Sequence, residues 1–144
     1  MLTDREDVLD GLAALDTFAR RLAAALHPGD VVALSGPVGA GKTALARALV
    51  RALHGSDAAV SSPTFIFRQR YDGTPPVEHV DLYRIEDPAE LVDLALDDAF
   101  GPDRITLVEW PEHAGDALPP PTLRVELGGS GESPRHVRVR HAVR

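Results

Sequence analysis

One lysine stands among the 15 Lys and Arg residues of this chain, and it lies inside Gly36-Pro37-Val38-Gly39-Ala40-Gly41-Lys42-Thr43. The octapeptide is a full match to G-x-x-x-x-G-K-[ST], in which backbone N–H groups cradle phosphates, the lysine reaches the β and γ phosphates and the hydroxyl serves a magnesium ion. A chain of this composition matches by chance roughly 6 times in 10,000, so chance does not account for it. The residue types follow from the chemistry. Lysine carries a small charge on a flexible stem, whereas a guanidinium fork is too wide for a loop wrapped around phosphates. The glycines let successive N–H groups turn into one anion-binding nest. Gly36, Gly39, Ala40, Gly41, Lys42 and Thr43 are therefore the expected nucleotide contacts, with Thr43 also on the metal.

A triphosphate site also needs a carboxylate near the metal, delivered by the C-terminal end of a neighbouring strand. Two candidates end extended runs: Asp81 after Val77-Glu78-His79-Val80 and Glu109 after Ile105-Thr106-Leu107-Val108. The second run reads as the more buried. Spacing alone leaves open which carboxylate meets the metal. Ser61-Ser62-Pro63-Thr64-Phe65 lies where nucleotide switches place segments that feel the γ phosphate, which makes Thr64 the candidate sensor. His79 and Asp81 are two apart on an extended run and share one face.

The elements around these residues form a strand, loop and helix in the order the motif requires. Val31-Val32-Ala33-Leu34 reads as a short buried strand, and Thr43 to Leu53 is rich in Ala, Leu and Arg. Before it, residues from about Arg5 to Leu26 place Val8, Leu9, Leu12, Leu15, Phe18, Leu22 and Leu26 at helical spacing, stopped by His27-Pro28-Gly29. Phe65 to Tyr71 and Val77 to Leu82 read as a hairpin or neighbouring strands across Asp72-Gly73-Thr74-Pro75-Pro76. Pro88 opens a short helix through Leu91, Leu94, Ala95 and Leu96, closed near Phe100-Gly101-Pro102. Pro111 to Pro121 reads as a surface connection. Two last strands, Leu123 to Leu127 and His136 to Val143, flank a Gly/Ser-rich turn. In the second, Arg135, Arg138, Arg140 and Arg144 alternate with valines, as on an outer strand whose arginines discourage edge pairing, or on a docking surface for an acidic partner, a phosphate or RNA.

With 144 residues, 44% of them hydrophobic, the expectation is one α/β domain spanning 1–144. The chain has no cysteine, which excludes disulfides, thiol nucleophiles and cysteine-ligated metals. No apolar run approaches the roughly 20 residues of a membrane span, and the acidic N-terminus does not read as a secretory signal, so a cytoplasmic location with no membrane contact is expected. A net charge of −7 argues against a broad electrostatic grip on nucleic acid.

Four blocks in this order and spacing resemble one family, the bacterial TsaE-type ATPases, also called YjeE: the phosphate loop, Ser62-Pro63-Thr64-Phe65, His79-Val80-Asp81-Leu82-Tyr83-Arg84 and Val108-Glu109-Trp110-Pro111. The last two are the most specific. The resemblance implies a P-loop NTPase-like fold, with a mainly parallel central sheet flanked by helices and antiparallel strands near the C-terminus. It implies ATP and Mg2+ as cofactors, with nucleotide on Gly39 to Thr43, metal on Thr43 and Glu109, and a catalytic or metal-ordering role for Asp81. Trp110 would lie at the nucleotide or partner face, and Ala44 departs from the family's usual threonine.

The activity so implied is hydrolysis of ATP in the formation of threonylcarbamoyladenosine in tRNA, acting on a complex of TsaD- and TsaB-type proteins that hold the tRNA. Lys42, Asp81, Glu109 and Thr64 form the expected catalytic set. Turnover by the isolated chain should be weak, because no arginine is marked as reaching the γ phosphate unaided. A small-molecule or nucleotide kinase would use the same loop, and a nucleotide-gated binding switch would need no turnover.

Overall fold

The computed structural model describes residues 5–55, 60–65, 67–93, 96–129 and 135–141, leaving aside the side chains of 60–65 and 93. Its strands are β1 (Arg5–Leu9), β2 (Val31–Ser35), β3 (Val60–Phe65), β4 (Arg68–Tyr71), β5 (Val77–Asp81), β6 (Ile105–Glu109), β7 (Leu123–Gly128) and β8 (Arg135–His141). Helices α1 (Gly11–Ala25), α2 (Lys42–His54) and α3 (Glu90–Asp93) are joined by 3-10 turns at Leu96–Ala99 and Pro111–Ala114.

All eight strands form one sheet in the order β1-β8-β7-β2-β6-β5-β4-β3. The four central strands, β7, β2, β6 and β5, run parallel. Antiparallel strands extend the sheet on both sides: β8 and β1 beyond β7, β4 and β3 beyond β5. Parallel strands need both faces covered, which is why β2 and β6 read as unbroken apolar runs rather than alternating ones. On one face Val32, Leu34, Val77, Ile105, Leu107, Leu123, Val125 and Leu127 pack with Leu15, Phe18 and Leu22 of α1 and Leu45 and Leu49 of α2. On the other, Val31, Val80, Leu82 and Val108 pack with Leu91, Leu96, Ala99 and Ala114. Each large apolar side chain so buried contributes about 1.5–3 kcal/mol of transfer free energy.

Two expectations are corrected. The helical run read from Arg5 is divided: Arg5–Leu9 is strand β1, paired with β8, and α1 begins only at Gly11. Leu9, Leu15, Phe18 and Leu22 are buried as the spacing demands, but Val8 is 60% and Leu12 77% exposed. The apolar periodicity did not distinguish the strand from the helix that follows, and pairing with β8 decided it. For the same reason β8 is not an outer strand. It lies between β7 and β1, with Val137 and Val139 in the core and Arg138 and Arg140 exposed. Val143 and Arg144 lie outside the described residues, as do Leu94 and Ala95, so the helix read from Pro88 is described as α3 and the following 3-10 turn. Among the described residues no helix is long and apolar enough to cross a membrane.

Candidate phosphate site

β2 ends at Ser35, and the chain turns through Gly36–Gly41 into α2. Gly36 has a φ of 148°, and a side chain there would overlap the carbonyl oxygen of Leu127 on β7. Gly41 is the α2 N-cap in the left-handed region, φ 100°, and a Cβ there would sit 2.9 Å from Nε of Arg135. Arg135 opens β8 and donates from Nε to Ala40 O at 2.7 Å and from a terminal nitrogen to Gly39 O at 3.3 Å. A residue near the end of the chain thus fixes the outer wall of the loop.

Within the loop the Ala40 N–H donates to Pro37 O at 3.1 Å. The N–H groups of Gly39, Gly41, Lys42 and Thr43 have no acceptor among the described residues. Donors without a described acceptor at the positive end of a 13-residue helix are complementary to an anion. Lys42, 5% exposed, directs Nζ to the carbonyls of Gly36 and, at 3.0 Å, Pro37. Its ammonium is 4.1 Å from the centroid of the Trp110 ring, a cation–π contact. Burial pushes the Lys42 amine below the usual lysine range, against the opposing pull of the Glu109, Glu112 and Asp81 carboxylates.

The carboxylates arrive from the parallel strands. β5 and β6 pair in a register that sets Asp81 opposite Glu109. Two like charges at one level of adjacent strands repel, and a cation in front of them relieves that repulsion. The Glu109 carboxylate is 2% exposed and accepts from the Thr43 hydroxyl at 2.9 and 3.0 Å and from Nε2 of His79 at 2.5 Å. Asp81 is half-buried and accepts the N–H of Tyr83 at 3.0 Å, which turns the chain at the end of β5. Trp110 follows Glu109 with φ 57°, a left-handed conformation costing a non-glycine residue about 1–3 kcal/mol. That turn lays its ring beside Tyr83, centroids 5.1 Å apart, and His113, 5.2 Å apart.

These groups enclose a cleft of about 440 Å³ lined by Val38, Gly39, Gly41, Lys42, Thr43, Ala44, Asp81, Tyr83, Glu109, Trp110 and Arg135. Of the residues singled out in the sequence, the loop, both carboxylates and Trp110 meet here. Thr64 lies on β3, and its side chain is outside the described residues. Sequence reasoning placed His79 only on a face shared with Asp81, gave Tyr83 no role beyond its motif, and read Arg135 only as part of the basic C-terminal strand. The two-residue spacing of His79 and Asp81 was a signal for the first, and nothing local marked the contact of Arg135. Among the described residues no three His, Cys, Asp or Glu side chains form a metal cluster. The donor set, one hydroxyl and one or two carboxylates, fits a cation that keeps most of its ligands as water and phosphate oxygens.

A glycine loop carried from a central parallel strand into a helix, with carboxylates at the ends of the next two strands, defines a P-loop NTPase-like protein. A solved structure, YdiB of Bacillus subtilis, shares this fold with a TM-score of 0.75 at 26% identity, covering 99% of this chain and 88% of that one. The chain belongs to the TsaE family: the pattern described as "Threonylcarbamoyl adenosine biosynthesis protein TsaE" matches residues 9–137. It is 34% identical over 128 residues to the tRNA threonylcarbamoyladenosine biosynthesis protein TsaE of Rickettsia bellii, covering 88% of each chain. It is 42% identical over 129 residues to the TsaE of Streptomyces coelicolor, covering 83% of this chain and 85% of that one. For the TsaE of Bacillus subtilis the identity is 38% over 120 residues, 83% of this chain and 74% of that one. The family's role is the biosynthesis of threonylcarbamoyladenosine in tRNA.

Proposed function

We infer that this chain binds ATP with Mg2+ at the cleft and hydrolyses it to drive that tRNA modification, acting on a complex of TsaD- and TsaB-type proteins in the cytoplasm. The observation that carries the reading is the convergence on one loop of four unpaired N–H groups, the Lys42 ammonium and the Thr43–Glu109 pair. The nest and helix terminus bind the phosphate chain, and Lys42 exchanges its loop carbonyls for phosphate oxygens. Thr43 and Glu109 would hold the magnesium ion, which when bound neutralises phosphate charge. Asp81, whose carboxylate faces the same cleft, is placed to orient water. Phosphoryl transfer asks the protein mainly for positioning and charge, and this set supplies both.

Turnover by the isolated chain is slow in this reading. The arginine lining the cleft, Arg135, is spent on the carbonyls of Gly39 and Ala40, whereas a positioned arginine contributes on the order of 10³ to 10⁵ in rate. Val38, 67% exposed, and Tyr83, 52% exposed, stand at the cleft and offer apolar contact to a partner that closes it. The tRNA is reached through the complex.

The decisive experiment is reconstitution of threonylcarbamoyl transfer to tRNA with TsaD- and TsaB-type proteins, with and without this chain and ATP. Modification that requires both, with phosphate released to water and stimulated by the partners, supports the reading. Phosphate passed to a small-molecule acceptor would replace it with a kinase. A Glu109→Gln chain that binds ATP and still sustains modification would replace it with a switch needing no hydrolysis.

A further inference from the structure

We propose that His79 is a positioning residue: it holds one oxygen of Glu109 so that the other, together with the Thr43 hydroxyl, is presented to a divalent cation. The proposal rests on the ATP and magnesium reading and extends it to a side chain outside the cleft lining. His79 lies mid-strand in β5, 6% exposed, behind a carboxylate that is 2% exposed. The Thr43 hydroxyl approaches the two Glu109 oxygens almost equally, at 2.9 and 3.0 Å, and so does not distinguish them. His79 does: its Nε2 lies 2.5 Å from Oε2 alone. An N–H held on Oε2 removes the rotation by which the carboxylate could exchange its oxygens or withdraw from the opposing charge of Asp81, its register partner on β5. Oε1 is thereby left as the oxygen for an ion. A histidine buried only for packing would need any acceptor; this one has the single carboxylate that also touches the phosphate-loop threonine.

The test compares His79→Leu, which fills the space without a donor, His79→Asn, whose donor is too short to reach Glu109, and His79→Gln, whose amide nitrogen reaches about as far as Nε2. Binding of a non-hydrolysable ATP analogue is followed by calorimetry while Mg2+ is varied, and folding by circular dichroism. Loss of a group that orients a metal ligand weakens metal binding about 10- to 100-fold. The Leu and Asn chains should therefore need about 10- to 100-fold more Mg2+ for half-maximal enhancement, with Mg2+-free analogue binding unchanged and Gln within about threefold of the parent. Equal Mg2+ midpoints for parent, Leu and Asn overturn the proposal. If Leu does not fold, the Asn–Gln contrast decides, and equal midpoints for those two also overturn it. A parent chain that shows no Mg2+-dependent binding at all sinks the ATP reading itself, an outcome distinct from variants that match a responsive parent.

Discussion

Lys42 spends its charge on the carbonyls of Gly36 and Pro37 and on the face of Trp110, contacts that a phosphate, in the proposed function, would replace with stronger charge-assisted bonds. Hydrogen bonds to charged groups are worth about 1.5–3 kcal/mol, so Lys42→Ala should weaken ATP binding by roughly 10- to 100-fold in calorimetry. Unchanged affinity would remove the loop from the site. Asp81 bonds to its own turn through the Tyr83 N–H and not to Lys42 or Thr43, so its charge is available to the cleft. Asp81→Asn should keep the turn and the nucleotide affinity while lowering partner-stimulated phosphate release by about 100-fold or more, as loss of a positioned base does. Equal losses in binding and turnover would instead mark Asp81 as a binding residue.

The loop depends on what the strands beside it allow. Gly36 leaves β2 against the backbone of β7, so Gly36→Ala must displace either the loop or Leu127, and a cost of about 1–3 kcal/mol in thermal unfolding is expected together with loss of ATP binding. Across the sheet, Glu78 is wholly buried and accepts from Arg68 at 2.9 and 3.1 Å and from Arg104 at 3.5 Å. Glu78→Ala removes the buried carboxylate shared by two guanidinium groups that are 17% and 15% exposed, while Arg68 keeps Asp98 and Arg104 keeps Asp103, and thermal unfolding should show a loss of about 1–3 kcal/mol. The outer member of that cluster behaves differently. The Arg68 hydrogen bond holds the Asp98 carboxyl below the usual aspartate range. A depressed folded value means that the stabilisation is present above the ordinary carboxylate pKa and is lost as pH falls through the folded one. Because the Asp98 side chain is 75% exposed, Asp98→Asn should cost under about 1 kcal/mol at neutral pH and nothing once the pH has fallen below the lowered folded value.

In the proposed function, a net charge of −7 and a cleft sized for one polyphosphate divide the work: the chain would supply nucleotide chemistry, and the tRNA would be held elsewhere. The chain alone should show no retention of tRNA at about 0.15 M salt, where only proteins with several free phosphate contacts hold nucleic acid. Retention there would overturn that division. Architecture also bears on legibility. The phosphate loop, the strand before it and the helix after it were readable because their signal is contiguous: glycines, lysine and threonine at set spacing between an apolar run and an Ala/Leu-rich one. Asp81 and Glu109 were readable as strand-end carboxylates. Illegible were the division of the first apolar run into β1 and α1, and the place of β8 inside the sheet, because both depend on a pairing between the two ends of the chain.

The amino-acid order alone determined the phosphate loop, its unique lysine, the two strand-terminal carboxylates and the family resemblance, since each is a matter of residue type at short spacing. Only the tertiary structure decided that Arg135 braces a loop 95 positions away, that His79 holds Glu109 rather than serving the cleft, and that Asp81 and Glu109 face each other. The physical reason is that these contacts are set by strand order and register. Register arises from packing the sheet between its covering helices, and no local propensity encodes it.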